Sequence, residues 1–156
     1  MPAFVTACLV PTLPECPAPP TPDELTYSLT LPATLSSPRI ARAATRAVLA
    51  VHGLADMTDM AVQTVAELTA CACLFAPAAE LYVSLRYRTG ALRVTVFDGH
   101  PRHTNPRLAA ACDARRRANL HLLACVVHAS GGDWGIGEAG ETGNGTRMWA
   151  TLPRRV

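Results

Sequence analysis

Glu67 and Cys71 stand four positions apart in the apolar stretch VAELTACACLFAP, Val65 to Pro77. On a helix that spacing puts both side chains on one face, so a carboxylate able to take a proton would face a thiol. Two other places combine residue types that could do chemistry. Asp98-Gly99 closes the alternating run RVTVFDG with a carboxylate acceptor beside bare backbone. Gly143-Asn144-Gly145-Thr146 opens the final alternating run with accessible amides and a hydroxyl. Each also has an ordinary reading, because Asp-Gly after a strand is a common turn and a Gly-rich link is a common hairpin loop.

The six cysteines, at 8, 16, 71, 73, 112 and 125, contain no Cys-x-x-Cys pair. Cys71 and Cys73 point to different faces of a helix, and no histidine lies near them at metal spacing, so no metal site is expected. The cysteines are expected instead as small buried hydrophobes in a reducing cytoplasm. His100 and His103 flank the loop after Asp98, and His121 and His128 share a later helix. All four are expected to be ordinary surface or half-buried histidines.

Composition excludes several classes. All 14 cations are arginine, which removes the lysine of a phosphate-binding loop and all Schiff-base chemistry. A net charge of +2 is too small for a nucleic-acid footprint. Arg115–Arg117 and Arg154–Arg155 have no interleaved aromatics, so no nucleic-acid partner is expected. No apolar run approaches the ~18 residues of a membrane span, and the apolar N-terminus lacks the basic start of a signal peptide. A cytoplasmic protein without a membrane partner is expected. Arginine without lysine, together with abundant Ala and Pro, fits a GC-rich bacterial genome.

These groups need elements to position them. Residues 1–25 hold seven of the 13 prolines and read as a flexible extension, leaving 26–156 as the domain. TYSLTLPA from Thr26 alternates as a strand. PRIARAATRAVLAVHG reads as a helix begun by Pro38 and ended by Gly53, with Ile40, Ala43, Ala44, Ala47, Val48 and Val51 as its apolar stripe. A second helix from Thr58 or Asp59 to about Phe75 carries Met60, Val62, Val65, Leu68, Ala72 and Leu74 inward. ELYVSLRYRTG and ALRVTVFDG form a hairpin turning at Thr89–Gly90. RRRANLHLLACVVHA is helical in period, and DWGIGEA and TRMWATLP make a last hairpin, with Trp134 and Trp149 expected in the core. The order β-α-α-β-β-α-β-β predicts an α+β two-layer sandwich, a mixed but mostly antiparallel sheet with helices on one face.

This order and four short motifs resemble the GHKL-type ATPase domain shared by gyrase, sensor histidine kinases and the heat-shock chaperone. The nearest likeness is to the stand-alone bacterial anti-sigma-factor serine kinases, abundant in actinobacteria. The resemblance covers about Tyr27 to Pro153. It implies that Glu67, in a Glu-Leu-x-x-Asn-Ala helix motif, orients or activates the attacking group, with Cys71 where the Mg²⁺-binding Asn stands. It also implies that Asp98 accepts the adenine amino group, that Gly99 lets the backbone approach the ring, and that Thr146, after Gly145 in a Gly-x-Gly-Thr motif, helps a water network around adenine. The phosphate-cradling glycines of the family fall at Arg117 and Asn119, and no glycine occurs between Gly99 and Gly131.

Two functions follow from the resemblance. One is an anti-sigma-factor-like regulator with a degenerate nucleotide site, a pseudoenzyme that binds a sigma factor or an anti-anti-sigma antagonist. The alternative is an active ATP-dependent serine/threonine-protein kinase of the same class, with ATP and Mg²⁺ as cofactors; the first reading needs none. The resemblance also allows a homodimer.

Overall fold

The computed structural model describes residues 18–75, 80–140 and 145–155. Most of the proline-rich extension, residues 1–17, lies outside them, as do Gly143 and Asn144. The described end of that extension is packed, not loose. Leu25 is fully buried, its carbonyl accepts the Tyr87 amide at 3.0 Å, and His52 is bonded to the Thr21 carbonyl at 2.6 Å. The packed domain therefore begins before residue 26.

Five strands form one sheet in the order β1 (Thr26–Pro32), β2 (Glu80–Arg88), β3 (Ala91–Asp98), β5 (Thr146–Pro153), β4 (Asp133–Glu138). Every pairing is antiparallel, so the mixed component expected from sequence is absent among the described residues. The β2–β3 link needs positive φ at both central residues, and Thr89 and Gly90 supply 49° and 77°. Period-two burial then follows: Leu81, Val83, Leu85 and Tyr87 face inward from β2, and Leu92, Val94 and Val96 from β3.

Four helices complete the layer, α1 (Ser37–Val51), α2 (Thr58–Phe75), α3 (Pro106–Asn119) and α4 (His121–Ser130). Helix α2 packs against α1, α4, β3 and β5, and so buries a wide face from Ala61 to Ala72 rather than a narrow stripe. Leu74, expected inward, is 58% exposed at its end. The architecture is a two-layer α+β sandwich, a five-stranded antiparallel sheet covered by helices.

Helix α1 departs from its expected orientation. Ser37, Ala41, Thr45 and Leu49 are buried, whereas Ile40 and Val51 are 47% and 56% exposed. Small residues let α1 approach α2 closely, and the buried hydroxyls are satisfied locally, Thr45 Oγ1 donating to the Ala41 carbonyl at 2.8 Å. The stripe Ile40, Ala43, Ala47, Val51 consequently faces outward.

The single helix expected over Arg115–Ala129 is two. Leu120, fully buried, leaves helical geometry at φ −96°, ψ 20°, and its amide is shared between the Arg116 and Arg117 carbonyls. Turning there brings Leu120 and Leu123 into the core while Arg115, Arg117 and Asn119 stay in water. No helix among the described residues is long and apolar enough to cross a membrane.

Candidate functional site

Asp98 is the last residue of β3 and pairs with Thr146, the first of β5. Its carboxylate is only 4% exposed with its residue, so it requires partners. Arg116 of α3 supplies them: Nη1 donates to Oδ2 at 2.7 Å and Nη2 to Oδ1 at 3.1 Å. Oδ1 also accepts the His100 amide at 3.0 Å. Arg116 is itself fully buried, lies 3.9 Å from the centre of the Phe75 ring, and reaches Met148 Sδ at 3.4 Å. A bidentate, buried pair of this kind is stiff in geometry as well as strongly attractive.

The hydroxyl of Thr146, buried, donates to the His100 carbonyl at 3.0 Å. Gly145 is required where it stands, because a Cβ there would lie 2.5 Å from the Asp98 carbonyl oxygen. Gly99 is exposed with open space about it. Cys71, from α2, is 2% exposed beside Arg116, and burial pushes its thiol up to about 11. Glu67, one turn earlier, is half-buried and accepts Gln63 Nε2 at 2.8 Å. Its charge is felt at the Cys71 thiol, which places it at the edge of the same cluster.

The fold thus gathers Cys71, Asp98, Gly145 and Thr146, with Glu67 alongside. Asn119 is not part of this group; it is exposed and donates back to the Arg115 carbonyl at 2.9 Å. Sequence reasoning missed Arg116 as the centre of the site. The signal was present in helical phase: Ala109, Cys112, Arg116 and Leu120 follow i, i+3, i+7, i+11, so one of three consecutive arginines had to face inward.

A second concave surface lies on the sheet face away from the helices. Tyr82, Ser84, Arg86, Arg93, Thr95, Phe97 and Arg147 line a shallow cleft of about 260 Å³. Trp149, expected in the core, lies on this face beneath Arg93, whose guanidinium is 4.4 Å from the indole centre. Gly135 makes room for it, since a Cβ there would meet the indole at 2.9 Å. Arg86, Arg93 and Arg147 form no ion pair among the described residues.

No protein-family model matches the chain. No curated protein matches its sequence. One solved structure that is similar in fold is the crystal structure of the RsbU and RsbW domains of Rv1364c from Mycobacterium tuberculosis, at 18% identity and a TM-score of 0.50. The match covers 84% of this chain and 33% of that one, so the chain spans a third of its neighbour's length. At that identity the likeness is one of fold.

Residues of this site do not suit a magnesium nucleotide. An adenine amino group needs an accessible carboxylate acceptor, and Asp98 is buried with each of its oxygens already accepting an Arg116 N–H. Mg²⁺ wants oxygen ligands, and Cys71 offers a neutral, buried thiol. The thiol has a measurable consequence. A folded-state pKa raised above the unfolded value of 9.0 gives a contribution fully present below about pH 9, lost as pH rises toward 11. Unfolding free energy from denaturant titration is expected to fall by roughly 2–3 kcal/mol more across that window in the wild type than in Cys71→Ala. Parallel pH profiles for the two proteins would contradict the buried thiol.

Proposed function

We propose that the protein is an anti-sigma-factor-like regulator that acts by binding a protein partner in the cytoplasm, without phosphoryl transfer. The observation that supports this most strongly is the Asp98–Arg116 pair, whose burial keeps the carboxylate out of reach of a nucleotide. The alternative, an active serine kinase in which Glu67 activates the attacking hydroxyl, requires the buried Asp98–Arg116 pair to open to a nucleotide and an oxygen donor to replace Cys71. A fold can keep a docking surface while its site chemistry is lost, because the two rest on different residues.

Two surfaces favour a protein partner. The sheet face presents three unpaired arginines among aromatic side chains, a combination common at protein interfaces and suited to an acidic partner surface. The outward stripe of α1 adds an apolar patch. A sigma factor or an anti-anti-sigma antagonist is the partner class proposed, bound on the cationic sheet face.

Calorimetric titration of such a partner is expected to give the same affinity, within about twofold, with and without Mg²⁺-ATP and in Glu67→Gln. The pair Arg86→Glu and Arg93→Glu is expected to weaken binding by at least tenfold, since like charges opposed across an interface cost several kcal/mol. An affinity that changes tenfold with ATP, or that ignores the charge reversals, would contradict the proposal.

A further inference from the structure

Loop 99–105 and the first turns of α3 bring together three side chains that the sequence keeps apart. His100, His103 and Cys112 each direct a ligand atom to one place, and the three atoms lie within 4.8 Å of one another. Cys112 Sγ and His100 Nε2 are 3.6 Å apart. For a tetrahedral zinc, bonds of about 2.3 Å to sulfur and about 2.05 Å to nitrogen give an S···N edge of about 3.6 Å. The His100 and His103 rings sit nearly perpendicular, at 78°, with centres 5.2 Å apart, so they converge without stacking.

The surroundings hold this arrangement in place. The His100 amide is fixed by Asp98 and its carbonyl by Thr146. Arg102, between the two histidines, forms a two-point pair with Asp113, the residue after Cys112. Asn105 caps α3 through the Arg107 and Leu108 amides. The loop is therefore tied to the sheet at one end and to the helix at the other, and the three ligands arise from rigid attachments. The His100 ring also packs edge-on against Phe75, with ring centres 5.6 Å apart at 71°.

We propose that His100, His103 and Cys112 form a binding site for a borderline-soft divalent transition cation of the Zn²⁺ class. Two imidazoles and a thiolate exclude Mg²⁺ and Ca²⁺, which want oxygen, and suit Zn²⁺ or Co²⁺. Binding displaces the Cys112 proton to solvent, since the thiolate is the ligand. Three protein ligands leave the fourth position to water or to a donor from a partner. The bound cation would cross-link the loop to α3 at the rim of the Asp98–Arg116 pair. This site does not rest on the proposed regulatory function.

Co²⁺ is the probe, because a thiolate ligand gives it a charge-transfer absorption that nitrogen and oxygen ligands do not. The reduced, chelator-treated full chain is titrated with Co²⁺ and then with Zn²⁺. The expected result is a saturable charge-transfer band that Zn²⁺ abolishes. Cys112→Ser should remove the band, and His103→Ala should weaken affinity by more than the roughly 10–100-fold that loss of a supporting residue costs. Cys125→Ser, at an exposed position of α4, should leave both unchanged. Circular dichroism confirms that each variant is folded. A wild type without the band, or a band that survives in folded Cys112→Ser, overturns the proposal, as does unchanged affinity in His103→Ala.

Discussion

Arg116→Ala is expected to destabilise the protein by about 3–5 kcal/mol, because it leaves the Asp98 carboxylate buried without its cation. For a chain of this size that corresponds to a fall in Tm of roughly 10–15 °C. The single substitution also deletes the guanidinium stacked on Phe75 and opens space beside Met148. Replacing both partners together, Arg116→Met with Asp98→Leu, should cost far less and can leave the fold as stable as the wild type, since desolvating two charges offsets most of their attraction. The contrast is the test. Thermal unfolding that shows equal losses in the single and double variants would mean that packing around Arg116, not the ion pair, carries the stability.

ATP is expected to bind more weakly than millimolar. Asp98 and Arg116 are buried together, so for an adenine to reach the carboxylate the pair has to open, which strands the guanidinium without its partner. The same 3–5 kcal/mol therefore opposes binding, and at 1.4 kcal/mol per decade this is roughly two to nearly four orders of magnitude in affinity. A ligand of micromolar affinity would be weakened by this term alone to a Kd between about 0.1 mM and several millimolar. The neutral Cys71 thiol adds a second penalty by giving Mg²⁺ nothing to hold.

Most of the fold was legible in the sequence because local signals and global order agreed. Alternation in ELYVSLRYR and ALRVTVFD placed the β2–β3 hairpin, and Thr89–Gly90 placed its turn. Helix α1 was found in extent but not in rotation: an alanine-rich helix carries little contrast between its faces, and two of the four residues it buries, Ser37 and Thr45, are polar. The break at Leu120 was invisible because neither glycine nor proline marks it; the demand of the core for Leu120 and Leu123 sets it. At the site, Asp98 and Thr146 were legible as a pair of strand ends. Arg116 was not, since a run of three arginines reads as a solvated face until the helix phase is fixed by what it packs against. His100, His103 and Cys112 were each noticed singly, and only tertiary structure joins a loop to a helix twelve residues on.

Calorimetric titration of ATP, with and without Mg²⁺, into the wild-type chain tests the central claim most directly. The account predicts no saturable heat at millimolar nucleotide in either condition. Micromolar binding that depends on Mg²⁺ would contradict it, because it would require Arg116 to leave Asp98 at little cost and an unrecognised oxygen ligand to stand in for Cys71.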